Sequence, residues 1–319
     1  MKRYWGVLLK AVITFGLLYF LVSKVDLAKS VDLLVRTNLG IVALVILVLT
    51  IQVGFAILRW HRVMIRKEMH IPVSRSARYF WLGLFFNQLL PSSIGGDAVR
   101  GYCLVREGQS LGRATLSVLL DRMLGMIGLI VLIAMTMPYA LSLIHAQELQ
   151  WGIGLALLAA IAGLTSVLFM DLITRKFASW RVTRGLTTLA RDARQLLLSR
   201  QGWELVFLSG VIHLLSILVV GMLSLALGIR IDWLALAVIV PIATLLMTVP
   251  VSIAGWGVRE GVMIVGLGYA GIASEQALAL SILYGLSLLA ISLPGGIFWL
   301  GDPAVRSINV KQAMMKETR

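Results

Sequence analysis

Arg100 and Arg259 each stand a few residues beyond a proline–glycine break set in apolar sequence, and the two breaks read almost alike. The first is Pro91-Ser92-Ser93-Ile94-Gly95-Gly96-Asp97-Ala98-Val99-Arg100, and the second is Pro250-Val251-Ser252-Ile253-Ala254-Gly255-Trp256-Gly257-Val258-Arg259. They lie 159 positions apart; six of the ten positions are identical, and two more exchange one small residue for another. The chemistry this composition offers is anion binding. Glycines allow positive φ and close backbone approach, free amides at a helix start favour phosphate, and a guanidinium offers a planar fork of donors. Asp97 suits the N-cap of a helix starting at Ala98. An arginine in the first turn of a helix opposes the dipole and calls for a negative partner. For Arg100 that partner is either Asp97, three residues earlier, or a lipid phosphate, and the two do not exclude each other. Arg259 has Glu260 and Trp256 where the first break has Gly101 and Asp97, so the two breaks are not chemically equivalent.

Asp121 and Arg122 join this set, because ionisable groups at membrane depth are functional candidates by default. Arg122 lies about 12 Å along its helix from Ala114, which leaves open a side chain that snorkels to the interface. Asn87 and Gln88, in an aromatic run ahead of the first break, either line a cavity or bond the broken backbone. The candidate substrate-binding residues are therefore Asn87, Ser92, Ser93, Gly95, Gly96, Asp97, Arg100, Asp121, Arg122, Ser252, Gly255, Gly257, Arg259 and Glu260. None is expected to be catalytic: a transferase would need a general base, for which Asp97, Asp121 and Glu260 are the candidates, and a metal-holding or nucleotide-binding motif, which is not visible. His61, His70, His145 and His213 are scattered without metal-ligand spacing, and Cys103 is the single cysteine, so neither a metal nor a cofactor is expected.

The elements that position these residues follow from composition. With 59% hydrophobic and 14% charged residues and a mean hydropathy of +0.92, a water-soluble fold would expose more apolar surface than water tolerates. The expected fold is an all-α polytopic membrane bundle. Segments near 5–23, 41–58, 114–138, 151–170, 205–227 and 276–300 are long enough to cross a hydrocarbon core of about 30 Å. Two shorter pieces, 79–91 and 233–250, run into the breaks. The opening Met1-Lys2-Arg3 followed by an apolar run reads as a retained first helix, since Lys10 interrupts it and no small-x-small pattern closes it. The net charge of +14 sits in short loops rather than on a compact basic domain, which points to the membrane and not to nucleic acid.

Basic stretches 59–78 and 171–200, together with both termini, belong on the cytoplasmic side by the positive-inside rule. The segment 79–113 must then begin and end inside, as a re-entrant hairpin with Pro91 to Gly96 at its tip. Residues 233–273 form a second hairpin entered from outside, unless 233–250 spans fully. Each half, 1–145 and 146–319, then has three full crossings, and an odd number inverts the second copy. Matching Pro/Gly breaks in two apolar halves mark the site in transporters built of inverted repeats.

The run from Phe86 through Arg100, with Arg106-Glu107-Gly108 and Ser117-Val118-Leu119-Leu120-Asp121-Arg122, resembles the flippase-like family built on the lysylphosphatidylglycerol synthase transmembrane region, the membrane part of multiple peptide resistance factor. The resemblance covers essentially the whole chain. It implies an inner-membrane protein for which lipid translocation is proposed in better-known members, while archaeal relatives are linked to lipid-linked glycan synthesis. The chain ends about twenty residues after its last expected helix, so the aminoacyl-transferase domain is expected to be absent and aminoacylation is not carried over. The resulting expectation is a flippase or scramblase for an anionic phospholipid or polyprenyl-phosphate lipid, with Arg100, Arg259 and Arg122 on the headgroup. The alternatives are a membrane transferase acting on a lipid-linked sugar and a regulatory partner in envelope lipid synthesis.

Overall fold

A computed structural model describes residues 2–90, 95–174, 181–249 and 251–301, so Pro91, Ser92, Ser93, Ile94 and Pro250 of the two breaks lie outside the described residues. The regular elements among the described residues are helices. The first half holds α1 (Lys2–Ser23), α2 (Leu27–Val35), α3 (Leu39–Arg66), α4 (Val73–Leu89), α5 (Gly95–Arg106) and α6 (Leu111–Leu143). The second holds α7 (Gln147–Thr174), α8 (Arg181–Leu197), α9 (Arg200–Ala226), α10 (Trp233–Met247), α11 (Val258–Tyr269) and α12 (Ser274–Gly301). Helices α3, α6, α7, α9 and α12 are long and apolar enough to cross a membrane, as expected for a polytopic bundle. The 17 residues of α4 and 15 of α10 span only about 26 and 22 Å, short of a core of about 30 Å.

The helices outrun the apolar runs that announce them. The expected span 41–58 continues to Arg66, and 114–138 extends from Leu111 through Pro138 to Leu143. Hydropathy stops at the first charge, whereas a helix continues as long as that charge finds water or a partner. The stretch 59–78, read as a basic loop, is thus mostly helix, and its first arginine, Arg59, is buried. The stretch 171–200, also read as a loop, holds α8. Leu189, Ala193 and Leu196 of α8 pack in one buried cluster with Val63, Leu120, Leu124 and Leu205. Arg194 clamps the buried Asp171 of α7 through two hydrogen bonds of 2.6 and 2.7 Å. Helix α2 was not anticipated either; Asp26 caps it by accepting from the Lys29 amide.

The order of long helix, short helix, long helix, two-piece hairpin and long helix occurs twice along the chain. The pieces of each hairpin pack on each other, α4 with α5 and α10 with α11. Each hairpin also lies against the last helix of the other half: α4 against α12, and α10 against α6. The α4–α12 contact is close, since a Cβ on Gly295 would meet the Trp81 carbonyl oxygen at 2.1 Å, and the Trp81 indole donates to the Ile291 carbonyl. The two halves also meet where α3 packs along α9, with the Gln52 amide donating to the Ile212 carbonyl at 2.8 Å and the Ser216 hydroxyl at 2.6 Å.

Candidate functional site

Five charged side chains form one alternating chain at the first hairpin. Arg122 donates to both Asp97 oxygens at 2.7 and 3.1 Å. Arg100 reaches Asp97 at 3.4 Å and Asp121 at 2.9 Å. Arg59 donates to the other Asp121 oxygen at 2.9 Å and to the Ser209 hydroxyl at 2.9 Å. The order is Arg122, Asp97, Arg100, Asp121, Arg59, drawn from α3, α5 and α6 with Ser209 from α9. Arg59, Arg100 and Asp121 are buried, whereas the Arg122 side chain is 52% exposed. Among the described residues three cations face two carboxylates, so the network carries one unmatched positive charge, and its open end is Arg122. The Arg100 guanidinium also lies 4.0 Å from the Trp60 ring centroid and 4.6 Å from that of Phe80, a cation–π contact that offsets part of its desolvation.

Local backbone geometry places Arg100. Helix α5 begins at Gly95, so Asp97 sits inside the first turn rather than at the N-cap before Ala98. The capping role falls to Asn87, whose side-chain carbonyl accepts from the Gly96 amide at 2.9 Å. Of the two roles open to Asn87, the structure shows the backbone bond; Gln88 is half-buried beside it. A Cβ on Gly96 would lie 1.9 Å from the Gly83 carbonyl oxygen, and one on Gly83 would lie 2.8 Å from the Arg100 stem. Two glycines thus let α4 and α5 touch and admit the arginine between them. Beyond α5, Glu107 accepts from both Tyr79 and Arg75, tying the end of the hairpin back to α4.

The second hairpin builds a neutral counterpart. Arg259 donates to Glu260 at 2.6 Å, and Ser281 of α12 donates to the same oxygen at 3.2 Å. The other Glu260 oxygen accepts from the Gly257 amide at 2.6 Å, as in a capping box. Ala254, Gly255 and Gly257 all have positive φ, a conformation in which only glycine is unstrained. Arg259 is buried at 2% exposure with its guanidinium 4.5 Å from the Trp256 ring centroid. Its room comes from Gly285 of α12, where a Cβ would meet the guanidinium at 2.1 Å. Ser252 is buried near this turn, and the next amide, of Ile253, donates to the Thr14 hydroxyl of α1 at 2.9 Å.

Of the expected site residues, Asp97, Arg100, Asp121 and Arg122 come together in one network, and Gly257, Arg259 and Glu260 in another. Among the described residues no hydrogen bond, ion pair or ring contact joins the two networks. Ser92 and Ser93 lie outside the described residues. Sequence reading missed Arg59, Ser209, Gly83 and Gly285. The spacing of Arg59, Arg62 and Arg66 was a usable signal for the first of these, because positions i, i+3 and i+7 share one helix face.

Compared with known proteins, residues 7–295 match the sequence model of the family described as the lysylphosphatidylglycerol synthase TM region. A UPF0104 membrane protein of Pyrococcus horikoshii is 25% identical over 205 residues, which cover 63% of this chain and 58% of the relative. The match thus spans a little over half the length of that relative.

Proposed function

The chain belongs to the family of the lysylphosphatidylglycerol synthase transmembrane region, and from that footing we propose that it translocates an anionic lipid, a phospholipid or a polyprenyl phosphate, across the cytoplasmic membrane. The observation that carries this reading is the alternating charge chain with one unmatched positive charge and a half-exposed arginine at its open end. An unmatched cation inside a membrane protein is costly; a lipid phosphate reaching Arg122 supplies the missing anion. Asp97 holds the Arg122 fork while the site is empty and yields it as the phosphate arrives. Arg100, Asp121 and Arg59 form the rigid backing that keeps Asp97 in place, so Arg100 acts as a positioning residue, while Arg259 braces the second hairpin through Glu260. Asp97, Asp121 and Glu260 are each bonded to arginine, which ill suits any of them to the general-base role of a transferase.

In this reading the halves 1–145 and 146–319 are inverted repeats, both termini are cytoplasmic, and α4–α5 and α10–α11 are re-entrant from opposite sides. The contacts of each hairpin with the last helix of the other half give a surface on which the halves rock to alternate access. Cysteine labelling tests the arrangement after Cys103 is replaced. Leu198 between α8 and α9 is 84% exposed and Leu39 at the start of α3 is 76% exposed. A cysteine at 198 is expected to react only from the cytoplasm and one at 39 only from outside; the reverse pattern overturns the topology.

Reconstituted vesicles carrying labelled phosphatidylglycerol test the function. Arg122→Ala is expected to slow translocation at least tenfold with an unchanged size-exclusion profile. Arg122→Lys should fall between it and the parent, because it keeps the charge but loses the bidentate fork. Parental rates in both variants would remove Arg122 from the site, and a parent protein that moves no lipid would remove the function.

A further inference from the structure

The α3–α9 seam extends past Arg59, the end of the charge chain, to a second feature built on Arg62. Arg59, Arg62 and Arg66 share one face of α3 and all reach α9 or its start: Arg59 bonds Ser209, Arg62 bonds Glu204 at 2.9 Å, and Arg66 bonds Ser199 and Gln201. Beside Arg62 a groove of about 470 Å³ is lined by Arg62, Arg200, Trp203, Glu204, Phe207 and Leu208. Arg200, Trp203 and Phe207 follow one another at i, i+3 and i+7 on α9 and so share a stripe. Trp203 and Phe207 are 69% and 71% exposed. Two arginines face one carboxylate in the groove, and Arg200 makes no ion pair among the described residues. A positive head followed by two aromatic rings down a membrane helix has the shape of one lipid, phosphate at the interface and acyl chain below.

We propose that this groove is a docking site for one anionic phospholipid, its phosphate between Arg62 and Arg200 and an acyl chain against Trp203 and Phe207. Charge complementarity selects the occupant: a zwitterionic lipid brings no net charge to meet the excess cation. Arg59 lies three residues, or about 4.5 Å, deeper along α3 than Arg62, so the groove opens beside the innermost end of the buried charge chain. The proposal extends the translocation reading by giving the lipid a landing place, yet its test reads binding alone.

The test uses the full chain in vesicles of phosphatidylcholine containing phosphatidylglycerol, with brominated acyl chains on one lipid or the other. The chain has nine tryptophans, so the Trp203 signal is taken as the difference between the parent and Trp203→Phe. Brominated phosphatidylglycerol is expected to quench that component at a several-fold lower mole fraction than brominated phosphatidylcholine. Arg62→Gln with Arg200→Gln should abolish the preference, Arg62→Lys with Arg200→Lys should retain part of it, and Glu204→Gln should strengthen it. Circular dichroism and thermal unfolding establish that each variant is folded. Equal quenching by the two lipids in the parent, or an undiminished preference in the double glutamine variant, overturns the proposal. Arg122→Ala should leave the preference intact while slowing translocation, so a failure of the translocation reading and a failure of this site give different results.

Discussion

Asp121→Ala is expected to be the most destabilising single change among the charged residues. Asp121 is 2% exposed and accepts from two buried arginines, Arg59 and Arg100, one on each oxygen. Removing one member of a buried pair leaves an uncompensated charge and costs about 3–5 kcal/mol; here one truncation strands two guanidiniums. The unfolding midpoint in detergent should fall steeply, and folded protein should accumulate poorly. Asp121→Asn keeps the volume and an acceptor while losing the charge, so it should lie between. The Arg62–Glu204 bridge is the contrast: both side chains are about half exposed, and such pairs contribute about 0–1 kcal/mol. Glu204→Ala should therefore unfold close to the parent. An Asp121→Ala protein with the parental midpoint would show that the two arginines find other compensation.

Gly96→Ala and Gly101→Ala, five residues apart on one helix, are expected to act in opposite directions. Alanine is favoured over glycine inside a helix by about 1 kcal/mol, and at Gly101 nothing lies within 4 Å of the added methyl. Gly101→Ala should raise the unfolding midpoint. At Gly96 the methyl would sit 1.9 Å from the Gly83 carbonyl oxygen, a backbone atom that moves only if α4 and α5 part. Parting them also breaks the Asn87 cap and opens the seat of Arg100, so the cost should exceed the usual overpacking penalty of about 1–3 kcal/mol. Thermal unfolding of the two variants beside the parent checks the signs. A neutral Gly96→Ala would mean that the hairpin is loose enough to absorb a methyl.

Much of the fold was legible because membrane helices declare themselves by composition. The apolar runs and the two short pieces before the breaks correspond to helices of the structure. Helix ends were less legible: hydropathy cut α3 at Leu58, whereas Arg59 continues the helix because Asp121 and Ser209, 62 and 150 positions away, accept its hydrogen bonds. Helix α8 was hidden because its density of arginines masks Leu189, Ala193 and Leu196, which recur at helical spacing. The candidate site was half legible. Residue type and depth singled out Asp97, Arg100, Asp121, Arg122, Arg259 and Glu260, but no local pattern says which carboxylate serves which guanidinium.

By itself, then, the sequence determined an all-helical membrane protein with two related breaks, because burying a backbone in hydrocarbon leaves the helix as the solution for such apolar runs. Only the tertiary structure decided that, among the described residues, the first break carries an unmatched positive charge and the second carries none. That difference depends on Arg59 entering from α3 to share Asp121, and on Glu260 being spent on the Gly257 amide, Arg259 and Ser281. Charge balance in a low-dielectric interior is settled by which groups lie within a few ångströms of each other, and pairings across distant stretches of chain exist only once the helices have packed.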